Sequence, residues 1–338
     1  MLVKFKENRV RRAYFGGKRI DCFYGKLGEN TRYPEEWLAS TTEAFNPDMP
    51  KAGEGLSVTE DGKIFRDLIK TDAKRLLGEE DMSILVKLLD SAERLVIQCH
   101  PTVQFAKERM NSPFGKTECW YILDAEDDAF VYLGFKEGIT RERWERLFAL
   151  QDIDAMLACL HKFPVKRGEL WFVAGGVPHA IGGGAFMIEL QEPSDLMVIP
   201  ERKTPSGVVL AEKKLHSGLG FDGMFDVYDY TGLSEDQTRA KYYRCPERKI
   251  NAPVSIVDGE LTDKFSMTRL TVSGNTAYDL DGSYAVATVT DGEGVIKTKS
   301  TQIRVKKSDS LFISLDEGKL EFSGEFEIVF SQSRKQNG

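Results

Sequence analysis

Apolar residues along this chain fall mostly into short continuous or alternating runs, the pattern of strands, with a few stretches at helical spacing between them. Phe130 to Phe135, Leu170 to Val173 and Phe186 to Gln191 read as strands. Near the C-terminus so do Phe265 to Val272, Tyr284 to Val289, Gly294 to Ile296, Ser310 to Ile313 and Phe326 to Phe330. Asp281-Gly282 and Asp291-Gly292 are hairpin-turn signals, and together these short strands predict a β-sandwich. Helical spacing appears at Ile64, Phe65, Leu68 and Ile69, with Gly78 placed to end that region. Thr140 is a helix cap for residues 143–150. A second helix is expected over 153–160, which would leave His161 at its end as a surface group. Leu215 to Asp222 reads as a helix and turn, and Ser331 to Gly338 as a frayed tail. Ile84, Leu85, Leu88 and Leu89 fit helix and strand equally. Lys87 among them reads as a lysine reaching for solvent.

The chemistry sits where strands carry polar residues. Val96-Ile97 leads into Gln98-Cys99-His100-Pro101, and alternation puts Gln98 and His100 on one face. In Lys116-Thr117-Glu118-Cys119-Trp120, the residues Lys116, Glu118 and Trp120 share a face. Polar groups turned inward from apolar strands need partners or a metal. Val177-Pro178-His179-Ala180 adds a second histidine beside glycine-rich 174–184, where glycine lets backbone approach a ligand closely. Glu189 and Gln191 alternate toward the same cavity. Two imidazoles, one carboxylate and one amide oxygen suit zinc with an open position. Cys99 and Cys119 face away from these groups and read as core packing.

These segments resemble the type I mannose-6-phosphate isomerases, zinc enzymes of the cupin superfamily. The resemblance rests on Gln98-Cys99-His100-Pro101, Gly115-Lys116-Thr117-Glu118-Cys119-Trp120, Tyr132-Leu133-Gly134-Phe135-Lys136, Pro178-His179-Ala180, Glu189-Leu190-Gln191 and Leu85 to Asp90. It runs from about Trp37 to Asp195 and more loosely beyond. It implies a mainly β, cupin-type jelly-roll sandwich with small helical insertions and a second, cupin-like β-sandwich at the C-terminus. It favours strand for residues 84–89 and starts a strand at Trp37. It implies one zinc per chain on Gln98, His100, Glu118 and His179, and Lys116 as an acid/base or oxygen-polarising group. Where it implies an active-site arginine, after Ser194-Asp195, this chain has Ile199, and Arg202 is the nearest substitute. The activity implied is interconversion of mannose 6-phosphate and fructose 6-phosphate through an enediol. The alternatives are a metal-dependent isomerase of another sugar or sugar phosphate, and a cupin that binds sugar without turnover. The expected domains are 1–250, with helical insertions at about 54–90, 140–162 and 206–250, and 251–332.

Composition narrows the partners. The chain has 338 residues, 41% hydrophobic and 29% charged, as in soluble globular proteins. Its net charge of −7 argues against nucleic acid as a partner, and the family resemblance implies a small-molecule sugar phosphate instead. No stretch approaches a membrane span. Met1 to Arg12 lacks the apolar run of a signal peptide. Five cysteines without C-x-x-C spacing fit reduced thiols in the cytoplasm. No Gly-rich phosphate loop is present, so Ser112 and Lys136 are the phosphate donors to consider.

Overall fold

The computed structural model describes residues 1–47 and 50–334. Its architecture is mainly β and antiparallel, as expected. One sheet runs in the order Tyr243–Arg244, Leu170–Val173, Glu118–Ala125, Ala185–Gln191, Leu85–Asp90, Glu35–Leu38, Arg9–Val10. A small sheet joins Leu160–Pro164, Phe130–Phe135 and His179–Ile181. The third holds the C-terminal strands Val254–Val257, Phe265–Asp279, Ala285–Lys297, Gln302–Lys306, Ser310–Ile313 and Lys319–Ser333. The chain's first strand, Leu2–Lys4, pairs with Ser310–Ile313 and so lies in this C-terminal sheet.

The Leu85–Asp90 segment is a strand, buried along its whole length. Its apolar pairs imitate a helix because both faces are covered, so no polar alternation shows. Val86 and Leu88 pack into the largest apolar cluster, with Tyr284, Phe312 and Met267 from the C-terminal sheet. The opposite face carries Leu85, Lys87 and Leu89. The insertion expected over 54–90 is therefore helical only at Phe65–Thr71 and Ala73–Leu77, where Gly78 ends the helix at φ 80°. Leu85–Asp90 is an interior strand, paired with Glu35–Leu38 on one side and Ala185–Gln191 on the other.

Other boundaries shift for identifiable reasons. Helices Arg141–Leu150 and Ile153–Ala158 form, with Thr140 Oγ1 accepting the Arg143 N–H. Leu160–Pro164 is a strand, so His161 is buried in a sheet, with Nε2 bonded to the Leu233 carbonyl. Asp281-Gly282 is a turn, with φ 56° and 71°. Asp291-Gly292 instead lies inside Ala285–Lys297, where the register slips between Val289 and Asp291, a bulge that bends one long strand. Ser331 to Ser333 belong to a strand and are buried. The rest of the expected tail beyond 334 lies outside the described residues. Cys99 and Cys119 are free and buried in apolar clusters. No helix among the described residues is long and apolar enough to cross a membrane.

Four tryptophans, Trp37, Trp120, Trp144 and Trp171, are fully buried. Truncating any one to alanine is worth about 3–5 kcal/mol of stability. Glu36 acts in the opposite sense. Alternation in Glu35–Leu38 turns it onto the apolar core face with Leu38. There Oε1 accepts the Asn8 N–H and Oε2 has no partner. Burial pushes its carboxyl up to about 8, against 4.5 for an ordinary glutamate. Between those values the unfolded chain has released a proton that the folded chain keeps. Stability from this group is thus full below 4.5 and is lost as pH rises through 8. Glu36→Gln is expected to raise Tm by several degrees at pH ~8.5 and to leave it near wild type at pH ~5. Thermal unfolding at both pH values checks this, and equal shifts at the two would count against a buried neutral carboxyl.

Candidate metal centre

Sheet register assembles the site. Trp37 lies opposite Lys87, Lys87 opposite Glu189, and Glu189 opposite Trp120. Directly opposed residues share a face, so these side chains form one row across four strands. The next row on that face holds Leu85, Gln191 and Glu118. From the other side, Gln98 and His179 form an isolated antiparallel bridge, exchanging both backbone bonds at 2.9 Å. This bridge, with one between Cys99 and Val198, replaces the regular strand expected at 96–100.

His100, Glu118 and His179 converge. Glu118 Oε2 is 3.1 Å from His100 Nε2, and Oε1 is 3.4 Å from His179 Nε2. Nitrogen and oxygen donors around tetrahedral zinc at 2.0–2.1 Å stand roughly 3.3 Å apart. The two imidazoles have no exposed surface and Glu118 has 1%. His100 Nε2, His179 Nε2 and Glu118 Oε2 are all buried without a hydrogen-bond partner, an arrangement that is unfavourable unless a cation fills it. Each Nδ1 lies 2.9 Å from a carbonyl, His100 from Leu196 and His179 from Val177. A carbonyl can only accept, so the proton sits on Nδ1 and the Nε2 lone pair points into the cluster. Burial lowers both imidazole pKa values, that of His100 to about 3 with help from Lys116. Burial pushes Glu118 up, but His100 and Lys116 outweigh it and hold the carboxyl well below its usual range. Two neutral imidazoles and a carboxylate fit a divalent metal.

A cavity opens beside the cluster. Gln98 and Lys116 line it, in front of the three convergent groups. Lys116 Nζ is 3.4 Å from Glu118 Oε2. The structure thus brings five of the six expected site residues together. Arg202 is the exception. It is exposed, its N–H donates to Gln151, and its guanidinium lies 4.9 and 5.1 Å over the rings of Phe148 and Phe221. It does not line the cavity. Ile199 does line the cavity and is buried against Leu210 and Leu215. Ser112 and Lys136 are also absent from the lining; Ser112 Oγ donates to the Phe114 carbonyl.

Several charged cavity residues went unread in the sequence. Lys87 is buried, not solvated: Nζ is 2.7 Å from Glu189 and 3.9 Å from Glu35, and lies over the Trp37 ring. Glu35 accepts from Arg12 Nε at 2.9 Å, Tyr14 OH at 2.7 Å and Trp37 Nε1 at 2.7 Å. Asp195 pairs with both terminal nitrogens of Arg12. The signal available for Lys87 was a charge inside an otherwise apolar strand, which calls for a buried partner. Arg12 and Asp195 stand 183 residues apart and had no local signal. Segment 191–198 links this group to the metal centre. Its Gln191 amide donates to the Glu192 and Ser194 carbonyls, its Asp195 holds Arg12, and its Leu196 carbonyl orients His100.

Known proteins share this arrangement of chain. The mannose-6-phosphate isomerase cupin-domain family matches residues 255–333. A mannose-6-phosphate isomerase of Streptococcus mutans is 26% identical over 346 aligned positions, covering 98% of both chains. One from Bacillus subtilis is 26% identical over 251 positions, covering 73% of this chain and 74% of its own. Among solved structures, the mannose 6-phosphate isomerase of Bacillus subtilis superposes with a TM-score of 0.77 at 22% identity, covering 98% of this chain and 99% of that one. A mannose 6-phosphate isomerase bound with zinc and yttrium superposes at 0.74 with 17% identity, covering 99% and 100%.

Proposed function

We propose that this chain, which belongs to the phosphomannose isomerases of the cupin superfamily, interconverts mannose 6-phosphate and fructose 6-phosphate with one zinc ion per chain. Gln98, His100, Glu118 and His179 would hold that ion. The observation that carries the proposal is the buried cluster of unpartnered Nε2 and carboxylate atoms beside a cavity rich in ion pairs.

The reaction breaks the C2–H bond of the aldose, passes through an enediol and forms a C1–H bond, with protons exchanged at O1 and O2. Zinc, when bound, supplies positive charge next to the oxygens that carry the developing negative charge. The chain's residues do the rest. Lys116, at the cavity wall, donates to a substrate oxygen and helps hold it in one orientation. Three carboxylates face the substrate space: Glu35, Asp195 and Glu189. Burial raises the first two, but Arg12 and Lys87 outweigh it, holding Glu35 down at about 2 and Asp195 lower than usual. Burial raises Glu189 despite Lys87. Glu189 is therefore the one of the three that most readily takes up a proton, as a base in this reaction must. The apolar lining, Leu95, Met197 and Ile199 among it, limits water around the enediol.

The test is isomerase activity of purified protein before and after chelation, and after zinc is restored. Activity is expected to vanish on chelation and return with zinc, and Tm is expected to fall and recover with it. If the zinc-loaded protein leaves mannose 6-phosphate untouched, the second proposal takes over, an isomerase of another sugar phosphate. Ile199 favours that alternative, since it gives the cavity an apolar wall where the family resemblance calls for a cation. A panel of aldoses and their phosphates separates the two.

A further inference from the structure

We propose that Arg12 is the guanidinium that binds substrate in this cavity. This rests on the isomerase function proposed above and adds a residue to it. Arg12 comes from the N-terminal stretch just after the Arg9–Val10 strand, and among the described residues it is the one arginine lining the cavity. It is 6% exposed. Its position is fixed on every side. Nε donates to Glu35 at 2.9 Å, Nη1 to Asp195 Oδ2 at 3.0 Å and Nη2 to Asp195 Oδ1 at 3.2 Å. Its Cζ lies over the Trp37 ring, 5.2 Å from the centroid.

A guanidinium carries five N–H donors. Three are used here, which leaves one on each terminal nitrogen. Burying such a group without using those donors is unfavourable, and a buried cluster of ions is often no more stable than apolar packing of the same volume, so its presence points to a use beyond stability. The neighbouring partners are themselves already anchored. Glu35 is also held by Tyr14 and Trp37, and Asp195 by the Phe45 N–H. This is the build of a positioned binding group. The carboxylates occupy the fork and fix the plane, and a remaining N–H on one terminal nitrogen serves a ligand oxygen in the cavity. The partner oxygens belong to a sugar phosphate, either its hydroxyls or its phosphate.

The other cations lining the cavity, Lys87, Lys116 and Lys214, are lysines and offer no guanidinium. Lys87 is held by Glu189 at 2.7 Å, and Lys116 sits 3.4 Å from Glu118. Position 199 is an isoleucine sealed against Leu210 and Leu215, and Arg202 lies over aromatic rings outside the cavity. The cavity thus takes its guanidinium from the N-terminal stretch of the chain.

The experiment compares wild type, Arg12→Lys, Arg12→Met and Arg202→Ala as zinc-loaded protein. Arg12→Lys keeps a cation between Glu35 and Asp195 and loses the fork, so it folds even if Arg12→Met does not. It is expected to keep its Tm within a few degrees and its full zinc content while kcat/KM for mannose 6-phosphate falls at least ~20-fold. Arg202→Ala is expected to stay within about twofold of wild type. Inhibition by inorganic phosphate tells the two ligand oxygens apart. Its loss in Arg12→Lys puts the phosphate on Arg12, while an unchanged inhibition with a fall in kcat puts the sugar oxygens there. Arg12→Lys with kcat and KM both near wild type overturns the proposal while leaving the isomerase function standing. A zinc-loaded wild type inactive on every sugar phosphate tried overturns both.

Discussion

Glu118→Gln is expected to empty the metal centre while leaving the fold in place. The substitution keeps the side chain's size and removes its charge. In the folded protein Glu118 is the one carboxylate between two neutral imidazoles, and Lys116 lies 3.4 Å away. Without the negative charge, a divalent cation would face that lysine with only neutral donors around it. Zinc binding is expected to weaken by at least ~10²-fold, the upper range seen even for lost outer partners of ligands. Isomerase activity is expected to drop by ~10³-fold or more, since the group that stabilises the developing oxyanion goes with the ion. The checks are metal content after passage through a chelating resin, circular dichroism for the fold, and the zinc-induced rise in Tm. Wild type is expected to show that rise and the variant to show none. A Glu118→Gln protein that keeps stoichiometric zinc and its activity would mean the ligand set is wrong.

His100 and Glu118 were legible because each is a polar residue turned inward from an apolar run, while His179 was read only as a histidine beside a glycine-rich turn and joined them through the family resemblance. A histidine or glutamate inside an apolar strand has few reasons to be there, and alternation states which face it takes. The same alternation placed Cys99 and Cys119 in the core. The β architecture was legible from the short apolar runs. What failed was of two kinds. The first was ambiguity of period. Leu85–Asp90 is covered on both faces, so its pattern carries no face information. The Asp291-Gly292 signal describes a sharp bend, and a bulge uses it as well as a hairpin does. The second was pairing at long range. His161 read as a surface group because the Leu160–Pro164 strand, and the Leu233 carbonyl that satisfies its ring, come from packing. Arg202 was the nearest arginine in sequence to position 199, but proximity along the chain says little about which side of a strand the chain leaves on. Arg12 was distant in sequence and adjacent in space.

Lys87→Met is expected to cost the protein much of its stability, in a pH-dependent way. The lysine is 2% exposed, with Glu189 at 2.7 Å and Glu35 at 3.9 Å. Burial lowers its pKa, but the two carboxylates outweigh this and leave it raised, so the pair is ionised in the folded protein. Removing one partner of such a pair leaves an uncompensated buried charge, which costs about 3–5 kcal/mol. Here the leftover charge can be neutralised. Burial already raises Glu189, and Lys87 is what opposes it, so in the variant Glu189 keeps its proton to higher pH. The unfolded chain releases that proton near the ordinary glutamate value. The variant's deficit is therefore small at low pH and grows as pH rises. Urea unfolding of zinc-loaded Lys87→Met is expected to show a larger loss at pH ~8 than at pH ~5.5. The double variant Lys87→Met/Glu189→Leu removes both charges, and it is expected to recover much of the stability because an apolar pair packs at least as well. Activity is expected to behave differently. If Glu189 moves the substrate proton, both variants lose at least ~10²-fold in kcat, and the restored stability of the double variant brings none of it back. Recovery of kcat together with stability would reduce the pair to a structural element and send the search for the base to Glu35 or Asp195, which Arg12 holds ionised.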